Sequence, residues 1–142
     1  NKINYYNSRR KRIVKKKFPR LPDSELEVMM ALWNGHPDMT RLEVETYLNR
    51  KKHLALTTVL SMLTRLEKKK FVSVKKDGRT NLYNPLVTRE AYQQQESRSV
   101  LEKLYGNSLK SFVVSLYQSE GIGREELEEM EAFLREVEKK EE

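Results

Sequence analysis

Residues 71–85 constrain the fold most tightly. Phe71-Val72-Ser73-Val74-Lys75 is rich in β-forming side chains, and Asp77-Gly78 is the strongest short hairpin signal a sequence can carry. Arg79 to Asn84 returns as a second strand, which Pro85 stops. The apolar segments before this hairpin follow helical spacing instead. Leu21-Pro22 breaks the chain, Ser24-Glu25-Leu26-Glu27 has the form of a capping box, and Leu26, Met29, Met30 and Trp33 recur at i, i+3, i+4 and i+7. Asn34-Gly35-His36-Pro37 ends that helix. Thr40-Arg41-Leu42-Glu43 is a second capping box, opening a helix with Val44, Tyr47 and Leu48 inward. After a polar turn at 49–53, a third helix is predicted over 55–69, with Val59, Met62, Leu63 and Leu66 as its inward stripe. Three helices followed by a hairpin within about 65 residues make the winged variant of the helix-turn-helix.

The pattern beyond the hairpin is helical again. A long helix is predicted from Thr88, carrying Tyr92, Val100, Leu101, Leu104 and Tyr105 and broken at Gly106-Asn107. A short apolar helix follows, then a break at Gly121-Ile122-Gly123, then a final amphipathic helix. The expected fold is therefore mainly α with a small β-hairpin. Its parts are a basic arm over 1–20, a winged helix-turn-helix over 21–87 and a helical dimerisation domain over 88–142. The last helices have nothing large to cover in their own chain, which implies another copy. Leu109, Phe112, Val113, Leu116, Leu127, Met130 and Phe133 are the predicted shared core.

Charge divides along the same border. Residues 1–87 hold 20 Lys/Arg against 8 Asp/Glu, and residues 88–142 hold 8 against 13. A basic front suits a polyanion, yet nine of its cations lie within residues 1–20, so the compact part is only mildly basic. The chain has no cysteine, which excludes disulfides, iron–sulfur clusters and thiolate metal sites. No apolar run reaches the roughly 20 residues that a membrane-spanning helix needs, so a cytoplasmic protein without membrane insertion is expected. His36 and His53, the only histidines, fall in turns without a carboxylate at metal-ligand spacing, and neither a catalytic triad order nor a phosphate loop appears. No enzyme, metal or cofactor is expected.

A helix-turn-helix reads DNA with the outward face of its second helix, where short polar side chains admit the groove and a long basic one reaches guanine or phosphate. Thr57, Thr58, Ser61 and Arg65 fit this on the third helix. Lys75, Lys76 and Arg79 make the hairpin basic, suited to backbone or minor-groove contact, with Arg79 the leading candidate.

Three segments together resemble the penicillinase-repressor family: Glu25-Leu26-Glu27-Val28-Met29-Met30-Ala31-Leu32-Trp33, Leu56–Lys69, and Gly78-Arg79-Thr80-Asn81-Leu82-Tyr83-Asn84-Pro85-Leu86. The similarity runs from about Leu21 to Leu134. It implies a homodimer whose winged heads hold a palindromic operator in double-stranded DNA and block transcription. It also implies a membrane metallopeptidase sensor that triggers cleavage in the helix joining the two domains. The matching bond here is Ser99–Val100, where staphylococcal members have Asn-Phe. In two further departures, Leu60 stands where some members have Lys or Arg, and Lys70 replaces the usual Gly before the first wing strand. Without cysteine, the copper-thiolate branch of the family is excluded. Two other readings keep the fold: a protein-interaction module, or a regulator that responds to a small molecule without a proteolytic switch.

Overall fold

A computed structural model describes residues 17–50 and 56–141, with the backbone alone at Leu56 and Thr57. Most of the expected basic arm, His53 and the greater part of the polar turn lie outside the described residues. The elements run α1 (Asp23–Asn34), β1 (Met39–Thr40), α2 (Arg41–Asn49), α3 (Leu56–Lys68), β2 (Val72–Asp77), β3 (Thr80–Pro85), α4 (Arg89–Tyr105), α5 (Leu109–Gln118) and α6 (Arg124–Glu141). Two compact units emerge, dividing at Gln95/Glu96 within α4, whereas composition predicts a border at 87/88.

In the first unit, α1 starts earlier than its apparent capping box. Pro22 occupies the N-cap without a side-chain bond, and its carbonyl accepts from Leu26 N–H at 2.9 Å. Ser24 thus lies inside the first turn and caps nothing. The buried side also differs from the predicted stripe: Glu25, Val28, Met29, Ala31 and Leu32 are buried, while Met30 is exposed. Two stripes with i, i+3, i+4, i+7 spacing overlap on this helix. The structure buries the one that begins with a carboxylate, because Lys69 Nζ donates to Glu25 Oε1 at 2.6 Å. An unpartnered carboxylate could not be buried there.

The capping box of α2 forms as predicted, with Thr40 Oγ1 accepting from Glu43 N–H and Glu43 Oε1 accepting from Thr40 N–H, both at 3.2 Å. The inward stripe of α3 is also as predicted, and Val59, Met62, Leu63 and Leu66 are all buried. This helix ends in a Schellman motif. Phe71 N–H reaches Leu66 O at 2.9 Å, Lys70 N–H reaches Glu67 O at 3.0 Å, and Lys70 adopts φ +63°. The left-handed turn that favours glycine is therefore retained with a lysine in it.

Phe71 then enters the core, meeting the rings of Phe18 and Tyr92 edge-on at 5.9 and 5.8 Å. The Phe18 backbone exchanges two hydrogen bonds with the Gln95 side chain, at 2.7 and 2.6 Å, and Leu21 N–H donates to Tyr92 Oη at 2.9 Å. These bonds anchor Phe18 and Leu21 to α4.

The hairpin corrects the predicted turn by one residue. Asp77 pairs with Thr80, so Gly78 and Arg79 form the two-residue loop. Gly78 has φ +63° and Arg79 does not share its sign, the arrangement of a type II′ turn rather than the Asp-Gly turn of type I′. A third strand, absent from the sequence reading, completes the sheet in the order β1-β3-β2, with Met39 opposite Tyr83 and Thr40 opposite Leu82. Asp38 precedes it at φ +61° and exchanges two hydrogen bonds with the Asn84 side chain, at 2.9 and 2.7 Å. The wing is thereby tied to the link between α1 and α2.

The second unit holds the rest of α4, with α5 and α6. Gly106 and Asn107, both at positive φ, end α4, and Ser108 caps α5 by accepting from Ser111 N–H at 3.1 Å. Tyr105 packs on Phe112 at 5.3 Å and donates to Ser115 Oγ at 3.1 Å. The break after α5 sits on Glu120 (φ +60°) in a second Schellman motif, one residue before the glycine the sequence pointed to. No residue of α5 or α6 is fully buried. The described core residues all lie in the first unit.

Candidate nucleic-acid interface

Helical periodicity gives α3 two unlike sides. Its four core residues occupy one face, so the positions three and four apart between them must look outward. Thr58, Ser61 and Arg65 are all exposed there, as predicted. The side chain of Thr57 lies outside the described residues, although its backbone is in the first turn of the helix. Leu60, Thr64 and Lys68 share this outward side and are exposed too. In the sequence Leu60 stands only as a departure from the family pattern, outside the polar contact set, and Thr64 and Lys68 are not among the expected contacts. The 3–4 spacing of Ser61, Thr64 and Lys68, opposite Val59, Met62, Leu63 and Leu66, is the signal that finds the latter two.

Thr64 is less polar than its residue type suggests. Its hydroxyl donates to Leu60 O at 2.9 Å, a back-bond along the helix. The outward side is thus a polar strip of Thr58, Ser61 and Arg65 beside an apolar one around Leu60 and Thr64.

The wing displays its cations unequally. Strand alternation puts Lys75 and Lys76 on opposite faces of the ribbon, opposite Leu82 and Asn81 respectively. Lys75 Nζ stands 4.0 Å from Asp38 Oδ2, while Arg79 is exposed at the tip. Asp38 therefore offsets part of the charge of Lys75.

His36 has a carboxylate partner that spacing alone does not reveal. Its Nδ1 donates to Pro37 O at 2.8 Å and its Nε2 donates to Glu43 Oε2. A carbonyl and a carboxylate only accept, so both contacts favour the protonated ring. The Pro37 carbonyl first and the Glu43 carboxylate second raise the His36 pKa above its ordinary 6.5. His36, ahead of the Thr40 backbone, holds Glu43 below its ordinary 4.5. The pair fastens the turn before α2. Among the described residues no three His, Cys, Asp or Glu groups converge as a metal site would require. No helix among them is long and apolar enough to cross a membrane.

In the second unit, Leu109, Phe133, Leu134 and Tyr117 are exposed, and Phe112, Val113, Leu116, Leu127 and Met130 are half-buried. The predicted dimer residues thus keep apolar surface that their own chain does not cover. Ser99 and Val100 are half-buried within α4.

Over most of its length the chain is similar to known proteins. The family model described as Penicillinase repressor matches residues 21–136. The penicillinase repressor of Bacillus licheniformis is 32% identical over 121 residues, covering 85% of this chain and 94% of that protein. The penicillinase repressor of Staphylococcus aureus is 26% identical over 117 residues, covering 82% and 92%. Among solved structures, monomeric BlaI of B. licheniformis in complex with the blaP half-operator is 34% identical. It covers 54% of this chain and 92% of that one, with a TM-score of 0.46. With a family model matched from the first helix to the last, over both compact units, this chain belongs to the penicillinase-repressor family and is not an enzyme.

Proposed function

We infer that the chain is a DNA-binding transcriptional repressor that works as a homodimer on a palindromic operator. The observation that carries this is the segregation of α3: a buried stripe holds the helix in place while Thr58, Ser61 and Arg65 stand exposed on its other side. The wing, bonded to the same unit, adds Arg79 at its tip. Full-length relatives named penicillinase repressors support the assignment. In a gel-shift titration against the DNA upstream of its own gene, Arg65→Ala should weaken binding about tenfold or more, the scale of a lost bidentate or charged base contact. Undiminished binding by both Arg65→Ala and Thr58→Ala would refute the interface.

Dimerisation belongs to α5 and α6. Leu109, Phe112, Val113, Leu116, Leu127, Met130 and Phe133 keep apolar surface that a partner's matching surface would bury. Two heads on one operator add their binding energies, which suits a reading helix with few long side chains. The proteolytic switch, driven by a membrane metallopeptidase sensor, would cut Ser99–Val100. That bond lies inside α4 at half-buried residues. A protease needs extended backbone, so cleavage requires local unwinding of this helix. One observation favours a small-molecule-responsive regulator as the second reading: an open, mostly apolar groove of about 350 Å³ bounded by Val100, Leu101, Leu109 and Phe112 with Glu96 and Ser97.

A further inference from the structure

We propose that Leu60, with the Thr64 methyl beside it, reads a thymine C5-methyl in the operator half-site. The proposal rests on the assignment of α3 as the base-contacting helix and names a specificity-determining residue within it. Leu60 is 41% exposed on a helix whose inward stripe is complete without it. It packs nowhere in the core and lies on the outward side with Ser61 and Arg65. A lone exposed leucine would say little. Here a second observation bears on it. Thr64, one turn on, commits its hydroxyl proton to the Leu60 carbonyl, so it has no donor left for a base and presents its methyl beside Leu60 with only an acceptor oxygen.

The two residues form an apolar strip, flanked by donors, on the helix side that faces the groove. The major groove offers one apolar feature, the thymine methyl. A guanine or cytosine at that position would leave its polar edge against Leu60 without a partner.

The test uses the full chain and the duplex it enriches from a randomised library. Each thymine is replaced in turn by deoxyuridine, which deletes the methyl and leaves the pairing edge intact. The expected result is a loss of about threefold per replaced methyl at one thymine of each half-site, the value of one buried methyl-sized group. Leu60→Ala should bind the parent duplex more weakly and lose its sensitivity at that thymine only, while Ser61→Ala keeps it. Circular dichroism confirms that the variants fold, which the exposure of Leu60 favours. Indifference of the wild type to every deoxyuridine, or equal sensitivity of Leu60→Ala and wild type, overturns the thymine contact while leaving α3 as the reading helix. Failure to enrich any duplex overturns the DNA reading itself, and the thymine contact with it.

Discussion

Replacing Lys70 by glycine should stabilise the first unit. Lys70 holds φ +63° at the end of α3, where a Cβ meets the following carbonyl oxygen. That conformation costs an L-residue about 1–2 kcal/mol. Glycine removes the cost but makes the unfolded chain more flexible, which returns about 0.4–1 kcal/mol. The net gain should be about 0.5–1 kcal/mol, raising the melting temperature by roughly 2–8 °C for a unit of this size. No packing change complicates the exchange, since the Lys70 side chain is exposed and the two Schellman bonds come from backbone atoms. Trp33 is the sole tryptophan, and it sits in this unit with its Nε1 donating to Val87 O at 2.9 Å. Urea unfolding followed by its fluorescence therefore reports on the right structure. Lys70→Ala separates the causes, because alanine deletes the charge and keeps the Cβ. A glycine variant with a lower midpoint, or an alanine variant that gains as much as glycine, would refute the backbone argument.

Lys69→Met should destabilise the same unit by about 1–3 kcal/mol. This is below the usual loss for breaking a fully buried pair, because Lys69 is 31% exposed and Glu25 alone is deeply buried. Urea midpoints measure it, and Glu25→Gln in the same background should recover part of the loss. Gly35→Ala places a Cβ 2.2 Å from Met39 Sδ and 2.9 Å from Ala31 O, so the buried Met39 side chain and the last turn of α1 must give way. A cost of about 1–3 kcal/mol is expected in the same melts. For His36 the folded pKa is raised, so its contribution is complete below the unfolded value of 6.5 and disappears as pH rises through the folded one. Glu43 is lowered, and its contribution is lost as pH falls through the folded pKa, below 4.5. Stability from this pair should decline from pH 6.5 upward, and His36→Gln should flatten that decline in Trp33 melts at a series of pH values. Phe133→Glu should shift the mass in light scattering from dimer to monomer at micromolar concentration, if α6 forms the shared core.

Much of the first unit is legible as periodicity. The α3 stripe and the Thr40–Glu43 capping box follow from local spacing and appear where spacing puts them. The two long strands form with their turn one residue later and with Pro85 paired to Val72 inside β3 rather than ending it. Several of the misreadings arise where a pairing partner, near or far along the chain, decides the outcome. Glu25 is buried because Lys69, far along the chain, neutralises it. The turn falls on Gly78-Arg79 because Asp77 finds Thr80 across the ribbon. Two residues, Met39 and Thr40, become a strand only because Tyr83 and Leu82 are there to pair with them. On α3, the polar contact candidates are legible from residue type, but sorting by polarity hides Leu60. The Thr64 hydroxyl also gives no sign in the sequence that it is already bonded.

The separation of the two sides of α3 has an evolutionary consequence. Stability draws on Val59, Met62, Leu63 and Leu66, while Thr58, Leu60, Ser61, Thr64 and Arg65 remain exposed. Exchanges on the outward side should be nearly neutral for folding. On the proposed role of α3, a lineage built on this helix can drift from one operator to another through single substitutions without crossing an unfolded intermediate. The same frame can then be duplicated and retargeted within one genome, with each copy kept from its sibling's sites by a few methyl groups and charges.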